Sequence, residues 1–128
     1  MRKRVLIIGA FMTAITSASL ADDLRLWVAV DGLQRHTCPS VSCGVTGRFF
    51  FRESLFIRES LDGWARVSPY KSAGCYEGRS TYVQVGSATC SVENGIVQGE
   101  FAEWVRSDLL AAQRPDAPIA ASTLDAHG

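Results

Sequence analysis

Four cysteines carry the most definite chemistry in this 128-residue chain: Cys38, Cys43, Cys75 and Cys90. An even set of thiols can form two disulfides or a single four-ligand zinc site. Zinc sites use closely spaced pairs, twice over. Here the first pair encloses four residues and the second fourteen, which favours cross-links. Three pairings are possible and sequence order does not select one. Local pairing, Cys38 with Cys43 and Cys75 with Cys90, is the simplest, and Pro39 and Ser40 favour a turn that would close the first.

The remaining reactive residue types do not assemble into a catalytic pattern. His36 and His127 are the two histidines, and His127 is next to the C-terminus. A Cys–His nucleophile needs a free thiol, which an even cysteine count argues against. No nucleophile-elbow sequence accompanies the serines. Glu53 and Glu59 sit among arginines and read as a solvated, charge-paired face. There is no Gly-rich phosphate loop and no His/Asp metal cluster. The expectation is a protein that is not an enzyme and has no cofactor and no metal, with His36 a solvated loop residue.

The N-terminus points to export. Arg2, Lys3 and Arg4 precede an apolar stretch from Val5 to Ala14, and Ser19-Leu20-Ala21 reads as a cleavage site before Asp22 and Asp23. The stretch is short of the roughly 20 apolar residues that span a bilayer, so a cleaved signal over 1–21 is expected rather than an anchor. The chain has 13 basic and 13 acidic residues; without Arg2, Lys3 and Arg4 the formal charge is −3. No basic patch remains to attract nucleic acid. A mature chain of about 107 residues is one domain's worth. Such a domain buries only a moderate share of its surface, so disulfides in an oxidising compartment would help it.

These residues must be positioned by β-structure. Leu24 to Val30 alternates imperfectly, and residues 36–47 look like loop. Residues 48–59 carry Phe49, Phe50, Phe51, Leu55, Phe56 and Ile57 between charged residues. Asp62-Gly63 is a hairpin signal, with a strand from Trp64 to Val67 that Pro69 ends. Residues 70–80 look irregular, and Thr81 to Val85 reads as a short strand. Asn94-Gly95 is a second turn signal. Ser107 is placed to cap a last helical turn at 108–112, and Gln113 to Gly128 reads as a flexible tail. Short strands joined by Gly and Asn turns predict an all-β fold, a small barrel or sandwich.

Leu33-Gln34-Arg35-His36-Thr37-Cys38-Pro39-Ser40, then Val45-Thr46-Gly47, resembles the opening of a bacterial SH3-like (SH3b) domain. Asp62-Gly63-Trp64-Ala65-Arg66-Val67 stands where that family places its Gly-Trp strand. Glu103-Trp104-Val105-Arg106-Ser107-Asp108-Leu109 stands in place of its closing Gly-Trp-Val. The resemblance covers about residues 26–110. It departs at His36-Thr37-Cys38, at Glu103, where the family has glycine, and at an insertion from about Pro69 to Gln98 that contains Cys75 and Cys90. The resemblance implies a small SH3-like barrel over 22–112 with an inserted β-hairpin or loop. Phe49, Leu55, Ile57, Val67 and Val105 then face inward and Phe56 outward.

On this reading Trp64 belongs to the core, Trp104 is half exposed and Trp27 is open. The insertion is expected to pack over Phe56 and its neighbours. The resemblance implies an exported binding module in the periplasm or outside the cell, recognising a cell-wall peptide or an envelope protein. It would have no nucleic-acid partner and no stable membrane insertion after signal cleavage. The alternative is an inhibitor or immunity-type protein that blocks an envelope hydrolase with its insertion. Candidate binding residues are Tyr76, Arg79 and Tyr82 on the insertion, with His36 and Trp104 on the barrel. Tyrosine and arginine together are typical of recognition surfaces.

Overall fold

A computed structural model describes residues 24–119. The expected signal segment 1–21 and the tail residues 120–128 lie outside them. The described residues are all-β, with no α-helix and two 3₁₀ turns, Val92–Asn94 and Ser107–Leu109. No helix among them is long and apolar enough to cross a membrane.

Two antiparallel sheets enclose the main core. In the first, β1 (Arg25–Val28) lies between β4 (Ser54–Phe56) and β12 (Leu110–Ala111). The second runs in the order β3 (Val45–Phe49), β2 (Leu33–His36), β11 (Trp104–Arg106), β6 (Trp64–Arg66), β5 (Glu59–Leu61). The ladders do not join into one closed barrel. The chain changes sheet at Ile57 and Arg58 instead: Ile57 N–H donates to Leu24 O in the first sheet, and Arg58 N–H to Arg66 O in the second. Asp62 and Gly63 take φ of 48° and 85° between β5 and β6, the two positive values a tight hairpin turn requires.

Val28, Val30, Leu33, Leu55, Ile57, Ala65 and Val105 form the core, with Leu26, Phe49, Val67, Leu109, Leu110 and Ile119 packed around it. Strand parity accounts for the pattern: on β2 Leu33 is buried while Gln34 is exposed. Each Val or Leu taken from water contributes about 1.5–3 kcal/mol, so this cluster is the chief adhesive between the sheets.

The insertion has its own architecture. β7 (Lys71–Ser72) pairs with β10 (Glu100–Phe101) at its base, and β8 (Cys75–Tyr76) pairs with β9 (Arg79–Ser80) at its tip. The excursion therefore closes at Phe101 rather than Gln98. The stretch read as irregular contains a hairpin turned at Glu77-Gly78, with φ of 52° and 79°. Cys75 is bonded to Cys90 and Cys38 to Cys43, the local pairing. Ala73, Ile96 and Phe101 form a small second core against which Cys90 packs.

Several expectations are corrected. His36 ends strand β2 and is buried against Trp64 and Trp104, and its ring Nδ1–H is satisfied by Cys43 O at 3.0 Å. Trp104 is buried and Trp64 only half-buried, the reverse of what was expected. Thr81–Val85 is not a strand; only Val85 bridges, to Val45. Phe56 is 47 % exposed, with the guanidinium carbon of Arg25, its cross-strand partner, 4.3 Å from the ring centroid. The insertion docks elsewhere. Ser107 begins the last 3₁₀ turn without capping it, and β12 follows. Within 113–119, Ile119 N–H donates to Ala29 O, and the Arg52 side chain donates to the carbonyls of Pro115 and Asp116.

Candidate binding site

The site lies where the insertion meets the five-stranded sheet. Between Arg35 and His36 the β2–β3 register skips a residue on β3, leaving Thr46 as a bulge. A bulge bends its strand and re-aims a side chain. Here Thr46 Oγ1–H donates to Glu103 Oε2 at 2.7 Å. Glu103 precedes β11 and its side chain is 10 % exposed. A buried carboxylate is tolerated only with partners. Besides Thr46 it has Lys71 Nζ from the insertion, 3.3 Å from Oε1, and Arg35 Nε, 3.5 Å from Oε2. Ser68 Oγ accepts from its backbone N–H at 2.8 Å. One carboxylate thus joins β2, β3, β7 and the approach to β11.

Arg35 is incompletely satisfied. Its Nε is buried with no hydrogen-bond partner, so the approach to Glu103 is an ion pair without an aligned bond. The guanidinium lies over the Phe49 ring, 4.8 Å from the centroid. Gly47 makes this possible, since a Cβ there would collide with Arg35 Nη2. Around the charges is a recess of ≈ 290 Å³ lined by Arg35, Thr46, Lys71, Tyr82, Gln84 and Glu103, among others. The Tyr82 ring packs at 6.5 Å against buried Phe101 and is 54 % exposed, giving the recess an aromatic lip.

The second wall is fixed by Asn94, whose side chain is buried although it sits beside a turn. Gly44 N–H donates to Asn94 Oδ1 at 2.8 Å, and Thr37 Oγ1–H donates to Asn94 O at 2.6 Å. Asn94 Nδ2 donates to Ser87 O and Thr89 O at 2.9 and 3.0 Å. One amide therefore ties the insertion to the Cys38–Cys43 loop. Two glycines permit the close approach: a Cβ at Gly44 would strike Ser87 O, and one at Gly95 would strike Thr37 O.

The residues singled out in the sequence fall in three places. Tyr82 edges the recess. Tyr76 and Arg79 are cross-strand partners at the exposed β8–β9 tip. His36 and Trp104 are cross-strand partners on the face of the five-stranded sheet turned away from Val105, where Trp64 meets His36 edge-on at 5.3 Å. Arg35, Thr46, Lys71, Asn94 and Glu103 were missed. A signal existed for Glu103: it is the lone charge in Phe101-Ala102-Glu103-Trp104-Val105, and a carboxylate within an apolar run requires internal partners.

The recess places one acceptor group beside two cations and an aromatic ring. That suits hydrogen-bonded, charge-assisted recognition of a polar ligand. Every cysteine is in a disulfide. Comparison of the chain with family models, with curated proteins and with solved structures returns no match.

Proposed function

We propose that this chain is an exported, non-catalytic SH3-like binding module that recognises a cell-envelope ligand, a peptidoglycan peptide, in the recess between sheet and insertion. The observation that carries the reading is the built character of that recess. A buried carboxylate is held by Thr46, Arg35 and Lys71, and a disulfide-pinned insertion supplies the facing wall. Wall peptides carry carboxylates together with amines and amides. Lys71 is half exposed and can take a ligand carboxylate, while Gln84 and Tyr82 supply neutral polar contacts. Two disulfides in a chain of this size fit an oxidising compartment. The two sheets around one core, with Trp64 and Trp104 on adjacent strands β6 and β11, are compatible with an SH3-like arrangement.

The alternative, an inhibitor of an envelope hydrolase, draws support from the β8–β9 tip. Tyr76 is 70 % exposed there beside Arg79, on a hairpin fixed by Cys75–Cys90. Co-sedimentation with purified peptidoglycan, beside a pull-down from envelope extract, separates the two. The recess reading predicts that the protein pellets with peptidoglycan and that Lys71→Ala and Tyr82→Ala each weaken pelleting several-fold. Retention of an envelope hydrolase that is lost in Tyr76→Ala and Arg79→Ala, with no pelleting, would establish the alternative instead.

A further inference from the structure

Strand β2 separates two concavities. Arg35 points into the recess just described, and its neighbours Gln34 and His36 point to the opposite face, as alternation along a strand requires. On that face lies a groove of ≈ 220 Å³ lined by Gln34, His36, Val41, Arg48, Arg106 and Leu109, among others. We infer that this groove is a second ligand site, which takes a carboxylate borne on a small apolar group, as at a peptide C-terminus.

The register builds the charge. Arg48 on β3 is the cross-strand partner of Gln34. Trp104 on β11 is the partner of His36, so continuing the antiparallel ladder brings Arg106 alongside Gln34 from the other side. Two arginines therefore flank one glutamine across three strands, with backbones spaced about 4.8 Å apart. An anion placed between them would be attracted to both. Asp108 meets Arg106 Nη2 at 2.8 Å. Arg48 is exposed and has no carboxylate partner among the described residues. It extends over Gly32, where an added Cβ would lie 3.5 Å from its Cδ. The row thus keeps one uncompensated positive charge in a chain whose mature formal charge is negative.

The rest of the groove sets the ligand's size and polarity. Leu109 and exposed Val41 give it apolar surface. His36 is locked by its Nδ1–H bond to Cys43 O and by the edge of Trp64, so that wall is rigid. A groove of ≈ 220 Å³, open along one side, has room for a carboxylate borne on a small apolar group. A guanidinium grips a carboxylate through two parallel N–H bonds, and Gln34 can donate a third.

The test is an ¹H–¹⁵N NMR titration of the mature protein with N-acetylalanine, with N-acetylalaninamide as the uncharged control. Fragments this small bind with Kd of ~1–10 mM. The acid should shift the Arg48 and Arg106 Nε–H, the Gln34 side-chain amide and the Gly32 backbone amide. The amide control should leave them in place. Arg48→Gln, an exposed change that leaves the remaining spectrum superimposable, should weaken the acid about tenfold, as expected for loss of one charge-assisted contact. Recess reporters such as Thr46 and Tyr82 should not move, which keeps this site distinct from the recess. Equal shifts with acid and amide, equal shifts at the exposed Arg58, or unaltered affinity in Arg48→Gln would each overturn the inference.

Discussion

A cluster of seven buried apolar residues holds the two main sheets together, whereas the insertion's own cluster has three and is joined by a disulfide and one amide. In the sheets the stabilising term is spread over many contacts and is non-directional. In the insertion it is concentrated in a covalent bond and a few aligned hydrogen bonds. The difference teaches where shape is enforced. Apolar burial sets that the sheets pack, while Cys75–Cys90 constrains the insertion's own shape and Asn94 ties it to the Cys38–Cys43 loop. If the recess binds as proposed, its wall needs the second kind of constraint, since binding depends on geometry held closely.

The contrast can be broken at either end. Leu33→Ala removes a fully buried side chain from the main core and should cost about 2–5 kcal/mol. Thermal unfolding followed by circular dichroism should show the loss, and hydrogen exchange should quicken in both sheets. Replacing Cys75 and Cys90 by serine should cost about 3 kcal/mol in the chain-entropy model for a loop of this length. Here hydrogen exchange should quicken first between Lys71 and Phe101 while β1, β2 and β11 keep their protection. Loss of protection throughout would show that the two regions form one cooperative unit.

Asn94→Ala isolates the docking amide. It strips the Gly44 N–H and the Ser87 and Thr89 carbonyls of a partner and should cost about 1–3 kcal/mol. The expected signature is altered chemical shifts for Thr37, Gly44 and Ser87, with the core residues around Val28 and Val105 unmoved. Unchanged shifts at Gly44 would show that the other links, the Val45–Val85 bridge and the Lys71–Glu103 pair, place the insertion without Asn94. Gly44→Ala sharpens the same point, because its methyl must displace Ser87 from the loop.

How far this was legible in the sequence follows the range of the interactions. Strand parity in the register of the resemblance marked Leu55, Ile57 and Val105 as inward-facing, and Asp62-Gly63 announced its hairpin as a local signal. Cys38–Cys43 and Cys75–Cys90 followed from proximity along the chain. The site did not follow. Thr46 meets Glu103, and Thr37 meets Asn94, each across 57 residues; no periodicity encodes such pairs. Asn94 read as a turn residue because turn and long-range amide use the same side chain. Trp64 and Trp104 were interchanged for a related reason. Parity puts both on the face away from Val105, but which part of that face is covered depends on where distant loops come to rest. Glu77-Gly78 and Gln98-Gly99 were passed over because their non-glycine members carry positive φ with ordinary residue types.

Binding of a wall peptide in the recess beside Glu103, proposed above, can be measured directly. The most direct measurement is an NMR titration of the mature protein with soluble peptides released from purified peptidoglycan, repeated on Lys71→Ala. The account predicts shifts at Thr46, Lys71, Tyr82 and Gln84, and an affinity about tenfold lower in the variant, as loss of one charge-assisted contact implies. Peptides that reach saturation while those four residues stay unmoved, or that bind Lys71→Ala as well as the parent, would contradict it.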